Sequence, residues 1–196
     1  MHYRTAFVAL AWLLAPCFQS AAEPVASDRR DPVLSERAAL YEIDPANSKN
    51  QRFAGTVVWR LEVTPPKPGA TPDLAWRAEV EIPERGMHMT WSLRRNTDKS
   101  LPASHIIEIK FKLPTDFSEG GVDKLYGVMM KTDEDARGVP LVGMSGKASE
   151  GHFLMALSAD ETDRARNILL LKERRWFDIS IYYTSGKRAI LTMEKE

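Results

Sequence analysis

From Phe53 onward, apolar side chains recur at every second residue over several separate stretches, and this constrains the chain more than any other feature. Alternate side chains point to opposite faces of a pleated strand, so such a run has one buried face and one solvated face. In TVVWRLEV, Val57, Trp59, Leu61 and Val63 share one face, and Val58, Arg60 and Glu62 the other. In LAWRAEVEI, Leu74, Trp76, Ala78, Val80 and Ile82 alternate with Ala75, Arg77, Glu79 and Glu81. Between them TPPKPGATPD carries four prolines and a glycine, which cannot sustain a ladder and so predict the loop of a long hairpin. The echo of Trp59-Arg60 and Glu62-Val63 in Trp76-Arg77 and Glu79-Val80 is a single pair, too few for a repeat architecture.

The same period continues. Met87, Met89, Trp91 and Leu93 alternate with His88, Thr90, Ser92 and Arg94, and RRNTDKSLPAS follows as an exposed loop. Ile107, Ile109, Phe111 and Leu113 form the inward face of a fourth strand. Gly120-Gly121 opens VDKLYGVMMK, which a charged turn from Thr132 to Gly138 closes. Two short strands are expected around Val139 to Met144 and Gly151 to Ser158, separated by Gly146. One segment breaks the pattern: Ala159 to Arg174 begins with acids and ends with bases, which suits the dipole of a short helix. A final hairpin follows, with Phe177, Ile179, Ile181 and Tyr183 inward, a turn at Ser185-Gly186, and Ala189, Leu191 and Met193 returning.

Eight or nine short strands with one late helix predict an all-β domain over 51–196, a two-layer immunoglobulin-like β-sandwich with a flattened barrel as the alternative. Ahead of it, residues 1–22 read as a secretory signal: Arg4, an apolar run from about Ala6 to Phe18, then Ser20 and Ala22 at the small positions of a cleavage site. The run is short of the roughly 20 residues that span a bilayer, and no later stretch approaches that length. The expectation is a periplasmic or secreted chain beginning at Glu23, without a transmembrane span. Pro16 departs from the small residue that precedes a lipidated cysteine, so Cys17 is read as lost with the signal, lipidation being the alternative. The mature chain then has no cysteine and relies on its core in an oxidising compartment. Residues 23–50 read as a linker whose apolar patch, Ala38 to Ile43, adds a strand or a helical turn.

The stretches Arg95-Asn96-Thr97-Asp98 with Leu101-Pro102-Ala103-Ser104-His105, Arg137-Gly138-Val139-Pro140-Leu141, and LLKERRWFDISIYYTSGKRAILTMEK resemble a family of uncharacterised exported or membrane-anchored bacterial proteins. The resemblance runs from about Ala38 to the end. It implies a shared domain and no known activity, so it carries over no functional residue.

Basic and acidic residues balance at 27 each, which leaves no net positive field to hold a nucleic-acid backbone. Gly138 to Gly143 has the glycine spacing of a phosphate loop, but Met144 stands where its lysine belongs. Ser145-Gly146 lacks the second glycine of a nucleophile elbow, and His88, His105 and His152 are too scattered to name a triad. Glu79 and Glu81 share a strand face beside Arg77, the pattern of a solvated surface. These readings leave a non-enzymatic exported binding or interaction module without a cofactor. Its partner is expected to be an envelope protein or an anionic envelope polymer.

Two candidate sites remain. Met87, His88 and Met89, with His152 and Met155, offer thioether and imidazole ligands that suit Cu(I), which makes a copper or small-ligand carrier the alternative function. Strand alternation opposes this, because Met87 and Met89 point away from His88. Arg94, Arg95 and Lys99, together with Arg174, Arg175, Lys187 and Arg188, make a surface basic patch if the loops that carry them meet at one end.

Overall fold

The computed structural model describes residues 35–43, 50–64 and 72–195, and Pro32–Glu196 forms one compact unit. The signal segment 1–22, Cys17 and most of the linker lie outside the described residues. The strands are β1 (Ser35–Ile43), β2 (Gln51–Thr64), β3 (Asp73–Ile82), β4 (Met87–Arg95), β5 (Ala103–Lys112), β6 (Val122–Lys131), β7 (Val139–Pro140), β8 (Gly143–Ser149), β9 (His152–Ser158), β10 (Trp176–Tyr183) and β11 (Arg188–Glu194). The helix α1 (Glu161–Glu173) stands between β9 and β10.

The mostly-β architecture with one late helix is as the alternation predicts, but the layering differs. All eleven strands join one antiparallel sheet in the order β7-β6-β10-β11-β1-β2-β3-β4-β5-β9-β8. That sheet curls until its two ends approach each other: the Ser145 hydroxyl on β8 donates to the Leu125 carbonyl on β6 at 2.9 Å. Below it, the Leu141 amide donates to the Val128 carbonyl at 3.0 Å. One sheet therefore supplies both opposed walls of the core.

The apolar patch of the linker forms a strand, and a central one: β1 lies between β11 and β2, with Leu40 opposite both Leu191 and Phe53. The β2–β3 hairpin pairs Val57 with Val80, Trp59 with Ala78 and Leu61 with Trp76, the register the alternation requires. Gly146 does not separate two strands. It lies inside β8, and the turn into β9 falls at Glu150-Gly151, where Gly151 has φ of 64°.

The inward rows converge on one core in which Leu40, Ile82, Met87, Met89, Trp91, Ile107 and Leu157 are buried. Each fully buried aliphatic side chain contributes about 1.5–3 kcal/mol. One end of the curl is stoppered. Arg85 pairs with Glu42 at 2.9 Å, lies over the rings of Phe53 and Phe117, and Glu42 also accepts from the Tyr183 hydroxyl at 3.2 Å.

The opposite end is covered on one side by α1. The Asp160 carboxylate caps it by accepting from the amides of Thr162 and Asp163 at 3.0 and 3.2 Å. Leu170 and Leu171 face the core, and the Lys195 ammonium donates to the carbonyls of Leu171 and Lys172 at the helix C-terminus. Among the described residues the β2–β5 side of this end has no such cover, and it forms a mouth.

Candidate binding mouth

The proposed copper ligands fall on two faces of the sheet. Met87, Met89 and Met155 are buried in the core, and Met155 stands level with Ile107 and Leu93, two inward positions from Met89. His88 points outward, its Nδ1 3.4 Å from Glu81, and His152 lies 2.8 Å from Glu108 on the outer surface. No group of three or more His, Cys, Asp or Glu side chains able to hold a metal gathers among the described residues. The structure does not bring the five residues together.

The basic patch is also divided. Arg94, Arg95 and Lys99 lie at the end that carries the mouth, as do Arg174 and Arg175 between α1 and β10. Lys187 and Arg188 lie at the stoppered end, because Arg188 pairs with Ile43 and antiparallel register carries that level to Ile82 and Met87. There Lys187 is 2.7 Å from Glu119. Arg175 lies 3.4 Å from Glu194. The hairpin turn at Ser185-Gly186 faces away from α1, so those bases cannot converge.

What the mouth holds follows from strand length. β1 starts at Ser35 opposite Val58, so the last residues of β2, from Trp59 to Thr64, run past it. Its inner face stays apolar there. Leu61 is 66% exposed, Val63 64% and Leu74 54%, although all three continue the row that buries Val57 and Trp59. Leu61 pairs with Trp76, Val63 with Leu74, and Trp76 with Leu93. Below them an aromatic cluster makes a stiff floor: Trp59 lies 5.0 Å from Trp76 and 5.4 Å from Trp91, and Trp91 5.1 Å from Phe177. Each such ring pair contributes about 0.5–1.5 kcal/mol beyond its burial. The Trp59 indole N–H donates to the Glu194 carbonyl at 2.7 Å, which fixes the ring plane.

These residues bound an open cavity of about 560 Å³, lined by Leu61, Leu74, Trp76, Leu93, Arg95 and His105 among others. That volume lies within the range of small-molecule sites. Arg95 and His105 are cross-strand partners on the inner face, whereas Arg94, opposite Ala75, stands on the outer side of the same rim. Neither arginine takes part in an ion pair among the described residues. Burial pushes the His105 imidazole pKa down, and the neighbouring Arg95 charge adds to this. The Lys195 ammonium lies 5.5 Å from the Trp76 ring centre, and burial lowers its pKa too. The mouth thus combines a stiff apolar wall with a rim that carries Arg94 and Arg95 against one carboxylate, Asp73.

Sequence alternation placed Leu61, Val63 and Leu74 on the correct face but implied burial for them. The alternation carries no signal that singles them out, because the row Val57 to Val63 is no longer than Met87 to Leu93 or Ile107 to Leu113. A second apolar groove lies on the outer surface, where Met144, Ala156 and Ile106 align across β8, β9 and β5 beside Leu101, Pro102 and Leu154. Glu79 and Glu81 lie on the outer face, Glu79 3.5 Å from Arg60. The segment from Gly138 runs through β7 into β8, with no helix until Glu161.

Comparison with protein-family models, with curated proteins and with solved structures gives no match for this chain.

Proposed function

We propose that this chain is a non-enzymatic binding module of the bacterial envelope that receives its ligand in the mouth. Exposure of Leu61, Val63 and Leu74 beside Trp76 carries this reading. Leu61 and Leu74 line the cavity and Val63 extends the same face as the cross-strand partner of Leu74, and such exposed apolar patches mark interaction sites. Arg94 and Arg95 at the rim favour an anionic partner. In the same reading the signal segment is removed after Ala22, the mature chain acts in the periplasm or outside the cell, and the opposed walls of the curl serve as the layers of an immunoglobulin-like sandwich.

The test is native mass spectrometry of protein expressed with its own signal and purified gently from the envelope. A chain beginning at Glu23 that carries extra mass, lost in a Leu61→Ser, Leu74→Ser variant with unchanged thermal unfolding, is the expected result. Reproducible turnover of any envelope substrate by the purified protein overturns the reading.

A further inference from the structure

We infer that the ligand of the mouth is a single-chain amphiphile with an anionic head group, bound as a monomer, with its chain along Leu61, Val63, Leu74 and Leu93 and its head at Arg94 and Arg95. The inference rests on the mouth being the binding site and adds the chemistry of what it binds.

Three observations carry it. The wall is aliphatic where it is exposed, while the rings beneath it are engaged with one another: Trp76 is 5.0 Å from Trp59 and 6.4 Å from Trp91, and faces Lys195. A sugar, which needs a free aromatic face and many hydrogen-bonding groups, finds few here, whereas an alkyl chain needs only apolar area. The two cations are both arginines, whose planar guanidinium forks match the two oxygens of a carboxylate and retain their charge at every physiological pH. They stand at consecutive positions on opposite sides of the strand end, Arg95 inward and Arg94 outward, so a head group at the rim meets charge from within and without. No ion pair holds either one among the described residues, and the single carboxylate lining the cavity, Asp73, leaves the two guanidiniums in excess.

Balance of charge argues for a monomer over a bilayer surface. Anionic membranes attract proteins through several basic residues acting together, each worth roughly 1 kcal/mol near the surface. This chain has 27 basic and 27 acidic residues, and its bases are shared between both ends of the sheet. One head group requires only the local pair.

Isothermal titration with dodecanoate, with dodecyl maltoside, both below their micelle-forming concentrations, and with phosphatidylglycerol vesicles tests the inference on the mature chain. One dodecanoate should bind per chain, Arg95→Gln should weaken it roughly tenfold, the loss of one charge-assisted hydrogen bond, and dodecyl maltoside should bind at least that much more weakly. Leu61→Ser with Leu74→Ser should abolish binding of both, and because these side chains are exposed the melting curve should not move. Equal affinity for the two detergents, indifferent to Arg95→Gln, overturns the anionic class while leaving the mouth as a binding site. Binding to vesicles alone overturns the monomeric ligand. Failure of every amphiphile to bind overturns both this inference and the mouth itself.

Discussion

Asn167 and Val142 exchange two hydrogen bonds: the Asn167 amide donates to the Val142 carbonyl at 2.8 Å, and the Val142 N–H donates to the Asn167 side-chain oxygen at 2.8 Å. The side chain imitates a strand and joins α1 to the segment between β7 and β8. Asn167→Ala leaves the Val142 N–H without this partner, while the Val142 carbonyl keeps the Ser158 amide at 3.0 Å. We expect it to lower stability by about 2 kcal/mol in urea unfolding, the cost of unmaking partly buried hydrogen bonds. Loss of protection should appear first in α1 by hydrogen exchange.

Lys131 and Asp178 lie 2.8 Å apart, both nearly inaccessible. The contact is an ion pair of close charges rather than an aligned hydrogen bond. Removing one partner strands the other charge, so Lys131→Met should cost about 3–5 kcal/mol. The double variant Lys131→Met, Asp178→Leu should recover most of that loss, and chemical denaturation of the three proteins measures the difference.

Acid should weaken the stoppered end. A hydrogen bond from Lys187 holds the Glu119 carboxyl below the usual carboxylate range, the Ser185 hydroxyl adds to this, and burial opposes it. Folded Glu119 thus binds its proton less readily than unfolded Glu119. Its contribution is complete above the unfolded value of about 4.3 and is lost as the pH falls through the folded one. Glu119→Gln should reduce stability at neutral pH and flatten its decline below about pH 4.5, as followed by thermal melts across the pH range.

Binding of an anion at the mouth should be linked to proton uptake by His105. Burial first, then Arg95 and Arg164, keep the empty-state imidazole pKa below its ordinary value, while Asp73 opposes them. An anion at Arg95 favours the imidazolium and raises that value. Dodecanoate affinity should therefore increase as pH falls from about 7 toward 6, on the ordinary histidine scale. His105→Gln should abolish the slope, and titration calorimetry in two buffers of different ionisation enthalpy should count fewer protons bound.

How far the sequence discloses this arrangement depends on which kind of contact is asked about. Met87, Met89 and Trp91 turn inward and His88 outward because adjacent side chains on a strand must diverge, and period alone states that. Sequential hairpins such as β2–β3 are equally readable from their turns. Pairings between distant strands, β1 with β11, β6 with β10 and β5 with β9, leave no mark in either strand, so one curled sheet reads much like two layers. The mouth escapes for a related reason. Alternation tells which way Leu61 and Val63 face, but whether another wall lies opposite depends on how far β2 outruns it. Arg94 and Arg95 read from sequence as part of one basic patch, and only register separates them from Lys187 and Arg188.

The place of β1 in the sheet also dictates an order of events. Arg37, beside the start of that strand, reaches Glu194 across 157 positions of sequence, and β1 has no neighbour on that side until the last hairpin exists. Until β10 and β11 have been made, the chain presents β1 and β6 as open edges. Closure of the sheet must therefore wait for β10 and β11, through slow pairing of strands distant in sequence. During that interval the earlier strands form at most an open sheet whose edge groups are available to other strands.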